Sequence, residues 1–256
     1  MRIRFLGTGT SYGVPMIGCD CNVCRSEDPR DRRLRTSAVV ESGRFRWLID
    51  AGPDLRAQLL AAEISTIDGV FLTHFHSDHV MGLDDLRAIT DRRGSPLPVW
   101  APERDVPALI AAFPHLFGDS RRPGWSANLD LRGVRDGERI DAGEERVRAL
   151  EVPHGRGWST GWVFGSSFAY FTDLSEMPST VRDAIRGVDV LAIDMLRVEP
   201  HPTHLNLEKS LEIAADCGAR AVRFIHMSHE VKHAEVDADL PAGMRLAYDG
   251  SIVESG

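Results

Sequence analysis

The chain has 256 residues, 43% of them apolar and 27% charged, with a formal net charge of −8. That is enough apolar material for a sizeable core, as one large domain or two small ones, in an ordinary soluble globular protein. The acidic balance disfavours a broad nucleic-acid-binding surface, which needs Lys and Arg to displace counterions from phosphates, and no apolar run approaches the roughly 18 residues that would span a membrane.

The opening Met1-Arg-Ile-Arg-Phe-Leu-Gly alternates polar and apolar residues like a strand over 2–6 and lacks the continuous apolar stretch of a secretory signal. Gly7-Thr-Gly9-Thr-Ser-Tyr-Gly13 follows it, but the third glycine is displaced and no helical pattern comes next, so a dinucleotide fingerprint is not met. Neither a Gly-x-Ser-x-Gly nor a Walker sequence occurs. Cys19-x-Cys21-x-x-Cys24 lies in a Gly/Pro-rich segment, and three thiolates this close suit a closed tetrahedral zinc better than a disulfide framework. Reduced cysteines point to the cytoplasm. Arg30, Arg32, Arg33 and Arg35 form a basic cluster, as do Arg92 with Arg93 and Arg121 with Arg122, each read as solvated surface.

Further strands are expected over 37–41, 45–49, 69–72, 97–100, 146–152, 161–165, 168–172, 189–194, 221–226 and 245–249. Helical spacing of apolar residues occurs over 54–62, 104–113 and 207–216. Helices interspersed with strands argue for an α/β layered protein, and no repeat or linker divides residues 1–256. The least regular stretch, 114–135, reads as a long loop, with a mobile cover over a site as the alternative.

The strand at 69–72 runs directly into Thr73-His74-Phe75-His76-Ser77-Asp78-His79. Four potential ligands at the end of a buried strand can hold a cation with neutral imidazoles and a carboxylate. Three other expected strands also end on a ligand type: 146–152 before His154, 168–172 before Asp173, and 221–226 at His226. Seven ligands exceed the needs of one tetrahedral ion and suffice for two if a carboxylate bridges. His74, His76 and His154 are assigned to one ion, Asp78, His79 and His226 to the other, and Asp173 to both. Such a pair lowers the pKa of water from about 15.7 toward 7 and clamps an oxyanion. The donor set accepts zinc, manganese, iron or nickel. His229, three residues beyond His226, is the expected fourth ligand of the cysteine zinc. Cys217, at a helix end, reads as a small buried residue.

These residues resemble the metallo-β-lactamase superfamily, whose marker is His74-x-His76-x-Asp78-His79 with Asp50 upstream and His154, Asp173 and His226 downstream. The resemblance covers essentially the whole chain. It implies a four-layer αββα sandwich with a dinuclear site at the shared edge of two sheets, and Asp50 bracing the ligand loop. Gly7-Thr-Gly9-Thr, Gly13-Val-Pro15, Gly18-Cys19-x-Cys21-x-x-Cys24 and His226-Met-Ser-His229 look most like the phosphoribosyl 1,2-cyclic phosphate phosphodiesterases of the PhnP type. That likeness implies a structural zinc on the three cysteines and the later histidine, and makes a homodimer plausible. It also picks out His204 as proton donor; from the residues alone, His201 competes with it, and His204 opens a helix expected over 205–215. Asp194-Met-Leu-Arg197 and His201-Pro-Thr-His204 depart in detail from that enzyme type.

The expectation is a metal-dependent hydrolase of a small cyclic phosphate or phosphodiester. A metal-held hydroxide attacks phosphorus, Asp78 orients it as well as binding metal, and His204 protonates the leaving alkoxide. The alternatives are a tRNA 3′-end endonuclease of the same superfamily and a non-catalytic, metal-stabilised accessory protein of cofactor biosynthesis.

Overall fold

A computed structural model describes residues 1–117 and 124–256. Two seven-stranded sheets carry the fold. In the first, β1 (Arg2–Gly7), β2 (Ser37–Ser42), β3 (Phe45–Ile49), β4 (Gly69–Phe71), β5 (Leu97–Pro102) and β6 (Leu129–Val134) lie side by side, with β14 (Ile252–Glu254) outside β1. The second runs β7 (Arg139–Ala142), β8 (Glu145–His154), β9 (Gly157–Phe164), β10 (Phe168–Phe171), β11 (Val190–Asp194), β12 (Ala221–Ile225) and β13 (Met244–Leu246). Strands β3 to β6 are mutually parallel, as are β10 to β13, so each sheet gathers carboxy-terminal strand ends along one edge.

The central strands are apolar on both faces because each sheet is covered on both sides. Trp47 and Ile49 of β3 point into the layer between the sheets and Leu48 into the opposite layer. Phe71, Trp100, Trp162 and Phe164 fill the middle, with the Phe71 and Trp100 rings stacked 4.7 Å apart. The outer face of the first sheet packs on α1 (Leu55–Ala61), α3 (Arg87–Arg93) and α4 (Val106–Ala112) through Leu55, Leu59, Ile89 and Leu109. The outer face of the second packs on α6 (Ser179–Ala184) and α7 (Leu207–Cys217) through Val181, Ile213, Ala214 and Cys217, with α8 (His233–Ala238) beside them. Two short helices, α2 (Ser77–Val80) and α5 (Pro114–Phe117), complete the set. This is the expected αββα sandwich. No helix among the described residues is long and apolar enough to cross a membrane.

Three strands depart from expectation: β6, β7 and β14 all lie at a sheet edge, where one side needs little apolar surface. The stretch 114–135 is therefore more than a loop, since it holds α5 and β6; residues 118–123, with Arg121 and Arg122, lie outside the described residues. Arg33 is also not surface. It is fully buried, pairs with Asp31 at 3.1 Å, and donates to the carbonyls of Ser228 and Val231 at 2.9 and 2.8 Å.

Candidate metal centre and cleft

The expected ligand residues all stand at or just beyond a strand's carboxy-terminal end. β4 feeds Thr73 to His79, β8 ends on His154, and Asp173 and His226 follow β10 and β12. The ligand loop folds back through α2 and lies directly on the segment after β3. Ala51 N–H donates to the His79 carbonyl and Gly82 N–H to the Ala51 carbonyl, both at 2.8 Å. A side chain at Gly52 or Gly82 would collide with the carbonyl of Asp78 or of Gly52, so this approach needs glycine.

Asp50, Asp173 and His226 take left-handed backbone angles, φ 60°, 56° and 63°. For a non-glycine residue that conformation costs about 1–3 kcal/mol and clusters at functional sites. Each bend follows a strand; it turns Asp173 and His226 into the cleft and Asp50 onto the ligand loop beneath it.

Two groups of donors result. Ligand atoms of His74, His76, His154 and Asp173 lie within 4.8 Å of one another, and so do those of Asp78, His79 and His226. Asp173 stands between them. Its Oδ1 is 3.5 Å from His226 Nε2, 3.8 Å from His154 Nε2 and 4.0 Å from His74 Nε2, while Oδ2 is 3.3 Å from His79 Nε2. Asp78 Oδ2 approaches His79 Nε2 at 3.2 Å and His226 Nε2 at 3.9 Å.

The electrostatics favour cations. Burial opposes charge on His226, but Asp173, Asp194 and Asp78 outweigh it and raise the imidazole to about 10. His79 is likewise raised, against burial, by Asp50 and Asp173. Burial works against the Asp173 carboxylate too, yet His226 and His79 hold it well below the usual carboxylate range. His74, with burial and neighbouring His79 both acting against charge, is pushed well below its ordinary value and is a neutral donor. The Nε2 atoms of His79 and His226 are buried without a hydrogen-bond partner and face carboxylates. Orphaned imidazole nitrogens among carboxylates are the donor set that divalent metals take.

Outer contacts fix these rings. Asp50 Oδ2 lies 2.7 Å from His79 Nδ1, and its other oxygen accepts the Thr73 N–H at 2.8 Å. His154 Nδ1 is 3.1 Å from the Thr203 carbonyl. Asp194, to which the sequence alone assigns no role, serves two histidines: Oδ1 is 3.2 Å from His226 Nδ1 and Oδ2 is 3.2 Å from His204 Nδ1. The available signal was the one used for the ligands, since Asp194 ends β11.

His204 lines the cleft, with Nε2 4.0 Å from Asp173 Oδ1. It does not open a helix: α7 starts at Leu207, and the Asn206 side chain caps it by accepting from Lys209 N–H. His201 sits 5.4 Å behind the His204 ring, where its Nδ1 takes the Thr203 N–H at 3.3 Å. The cleft encloses about 630 Å³ over His74, His76, Asp78, His154, Asp173 and His226.

A second cluster joins the amino-terminal segment to the loop after β12. Ligand atoms of Cys19, Cys21, Cys24 and His229 converge within 4.8 Å, with His229 Nδ1 3.3 Å from Cys19 Sγ and 3.4 Å from Cys21 Sγ. The Cys24 N–H, with help from His229 and against burial, lowers the Cys21 thiol to about 6; burial pushes Cys24 up to about 11. Three thiols and an imidazole fit a closed tetrahedral zinc site. Cys217, by contrast, is buried in the apolar layer under α7.

Comparison with known proteins agrees with this geometry. Residues 46–227 match the family described as "Beta-lactamase superfamily domain". The chain belongs to the beta-lactamase superfamily. Within that superfamily it is 40% identical to a crystal structure described as a new diphosphatase from the PhnP family, with a TM-score of 0.91 over 99% of this chain and 97% of that one. It therefore falls in the PhnP family. An octanoyltransferase of Porphyromonas gingivalis is 36% identical over 254 residues, covering 98% of this chain but 51% of the relative. A coenzyme PQQ synthesis protein B of Rhodopseudomonas palustris is 35% identical over 124 residues, covering 43% of this chain and 39% of that protein. The chain thus spans about half the length, or less, of these curated relatives. As a beta-lactamase superfamily member, the chain carries donor clusters that fit metal binding.

Proposed function

We propose that the protein hydrolyses the phosphoric ester or anhydride of a small molecule, a cyclic phosphate or phosphodiester being the leading class, over two divalent cations. The observation that carries this is the position of Asp173, whose two oxygens face histidines of both donor groups. In this reading His74, His76 and His154 hold one cation, Asp78, His79 and His226 the other, and Asp173 both. Cations held there supply an activated water and neutralise charge on the phosphoryl oxygens. Asp78 aligns the attacking water. His204, its ring held by Asp194, gives a proton from Nε2 to the leaving oxygen. Cys19, Cys21, Cys24 and His229 hold a structural zinc that fixes the amino-terminal segment against the loop carrying His226. The similarity to a PhnP-family diphosphatase supports phosphorus as the atom attacked and extends the class to anhydrides.

The test is a metal-reconstituted assay on phosphoribosyl 1,2-cyclic phosphate, 2′,3′-cyclic nucleotides, bis-p-nitrophenyl phosphate and, for anhydrides, inorganic pyrophosphate and ADP. Turnover of at least one supports the reading. Fully metallated protein that cleaves no phosphorus–oxygen bond across the panel overturns it. Salt-sensitive binding of tRNA would instead favour a nuclease, against which the net charge of −8 argues.

A further inference from the structure

Several side chains of the cleft take no part in the donor set, Arg156 and Trp158 among them. Arg156 and Trp158 stand at the tip of the β8–β9 hairpin, on the same cleft wall as His154. The turn is tightly specified. Gly155 has φ +57° at its first central position, and a Cβ there would press on the Thr203 side chain at 2.9 Å. Thr203 is the residue whose carbonyl faces His154 Nδ1, so the hairpin tip and the donor histidine share one support.

Arg156 is exposed and makes no hydrogen bond or ion pair among the described residues, whereas Arg104 on the same cleft is tied to Glu151. Trp158, opposite Pro153 in the ladder, is 49% exposed, an unusual position for an indole with no partner to cover it. An unpaired guanidinium binds phosphate through its planar fork, and an open indole face stacks on a planar ring. Arg156 follows His154 by two residues and lines the same cleft, so its guanidinium borders the metal-binding floor with Trp158 beside it.

Resting on the phosphoryl-hydrolase reading above, we propose that Arg156 and Trp158 form a second subsite, selecting substrates that carry a planar ring and a further phosphate beside the scissile one, as in a nucleoside diphosphate. In this arrangement Arg156 holds the α-phosphate and Trp158 stacks on the base. Water adds to the β-phosphorus and the bond to the bridging oxygen breaks. That oxygen leaves with the nucleoside monophosphate, taking its proton from His204, and the other product is inorganic phosphate.

The test uses metal-loaded protein with ADP, inorganic pyrophosphate and methyl p-nitrophenyl phosphate. Arg156→Ala is expected to raise the KM for ADP at least about tenfold more than that for methyl p-nitrophenyl phosphate, with partial recovery in Arg156→Lys. Trp158→Ala should cost about fivefold or more on ADP relative to pyrophosphate, which has no ring. Independently of turnover, α,β-methylene-ADP should quench the emission that Trp158→Phe removes, and Arg156→Ala should weaken that binding. Equal losses on all three probes, or an analogue that leaves Trp158 emission untouched, overturns the subsite. If methyl p-nitrophenyl phosphate is cleaved normally while these selective losses fail to appear, the subsite falls and the hydrolase reading stands. If nothing is cleaved yet the analogue quenches Trp158 in an Arg156-dependent way, the hydrolase reading falls and the subsite stands.

Discussion

Asp50 and His79 are both fully buried, and the carboxylate Oδ2 lies 2.7 Å from the imidazole Nδ1. The carboxylate thereby sets which nitrogen of His79 carries the proton and leaves Nε2 facing Asp78 and Asp173. Asp50→Ala removes this partner and the acceptor of the Thr73 N–H at one stroke. Metal affinity should fall about 10–100-fold, as for other outer partners of ligating histidines. A chelator competition measured on both proteins checks it; equal resistance to the chelator would mean that His79 needs no orienting partner.

His204 is expected to act on the leaving oxygen, and a leaving-group series isolates that role. His204→Ala should lower kcat about 10²–10⁴-fold on an alkyl phosphodiester, the usual worth of a general acid. On bis-p-nitrophenyl phosphate, whose phenolate departs without a proton, the deficit should shrink by at least an order of magnitude. A uniform deficit across both substrates would assign His204 to binding or metal ligation instead, and its Nε2 is near enough to Asp173 and His226 for that outcome to be a real alternative.

Much of this site was legible because a strand that ends in a ligand states its own direction. β4, β8, β10 and β12 each have an apolar interior followed by a His or Asp, and the fold brings those ends to one edge. Asp194 obeys the same rule at β11, but its neighbours Met195 and Leu196 offer no companion ligand to mark it. Its role depends on the approach of His204 and His226 from other elements, which no local pattern encodes. The strands β6, β7 and β14 were hidden for a different reason. At sheet edges they bury only alternate or terminal residues, as in Ile252-Val253-Glu254, where Val253 alone is buried. Arg33 was misread as surface because its partners, Ser228 O and Val231 O, are nearly two hundred residues away.

The buried Arg33–Asp31 pair should contribute measurably to stability. Arg33 holds the loop between His226 and Val231 and is the ion-pair partner of fully buried Asp31. Arg33→Met leaves the Asp31 charge without its guanidinium, which costs about 3–5 kcal/mol for buried pairs broken on one side. In a chain of this size the Tm should drop by roughly 6–20 °C. The double variant Asp31→Asn with Arg33→Met should recover part of the loss. A Tm within 2–3 °C of wild type for the single variant, about one kcal/mol or less, would show that the pair contributes little.

The cysteine cluster should separate from the chemistry. Cys21→Ser removes one thiol of the four-ligand group, so the protein should lose one zinc equivalent and unfold at lower temperature. Residual folded protein should retain the other metals and a measurable share of kcat. Zinc content by mass spectrometry alongside a melting curve reads both; full zinc content in the variant would sink the assignment.

Asp249 offers a pH signature remote from the donors. Burial raises its carboxyl to about 7, against the Leu34 N–H at 2.7 Å and the Thr8 hydroxyl at 2.8 Å. The native pKa lies above the unfolded value of 3.8, so between those limits the native state binds more protons than the unfolded chain. Its contribution to stability is therefore complete below about pH 4 and is lost as the pH rises through about 7, with a slope near 1.4 kcal/mol per pH unit at its steepest. Asp249→Asn keeps an acceptor for Leu34 N–H and an amide donor toward Thr8, matching the protonated acid without titrating. Denaturant titrations from pH 4.5 to 8 should show the variant gaining on wild type as pH increases. Parallel stability curves for the two proteins would mean that Asp249 stays ionised throughout, with the Leu34 and Thr8 hydrogen bonds outweighing burial.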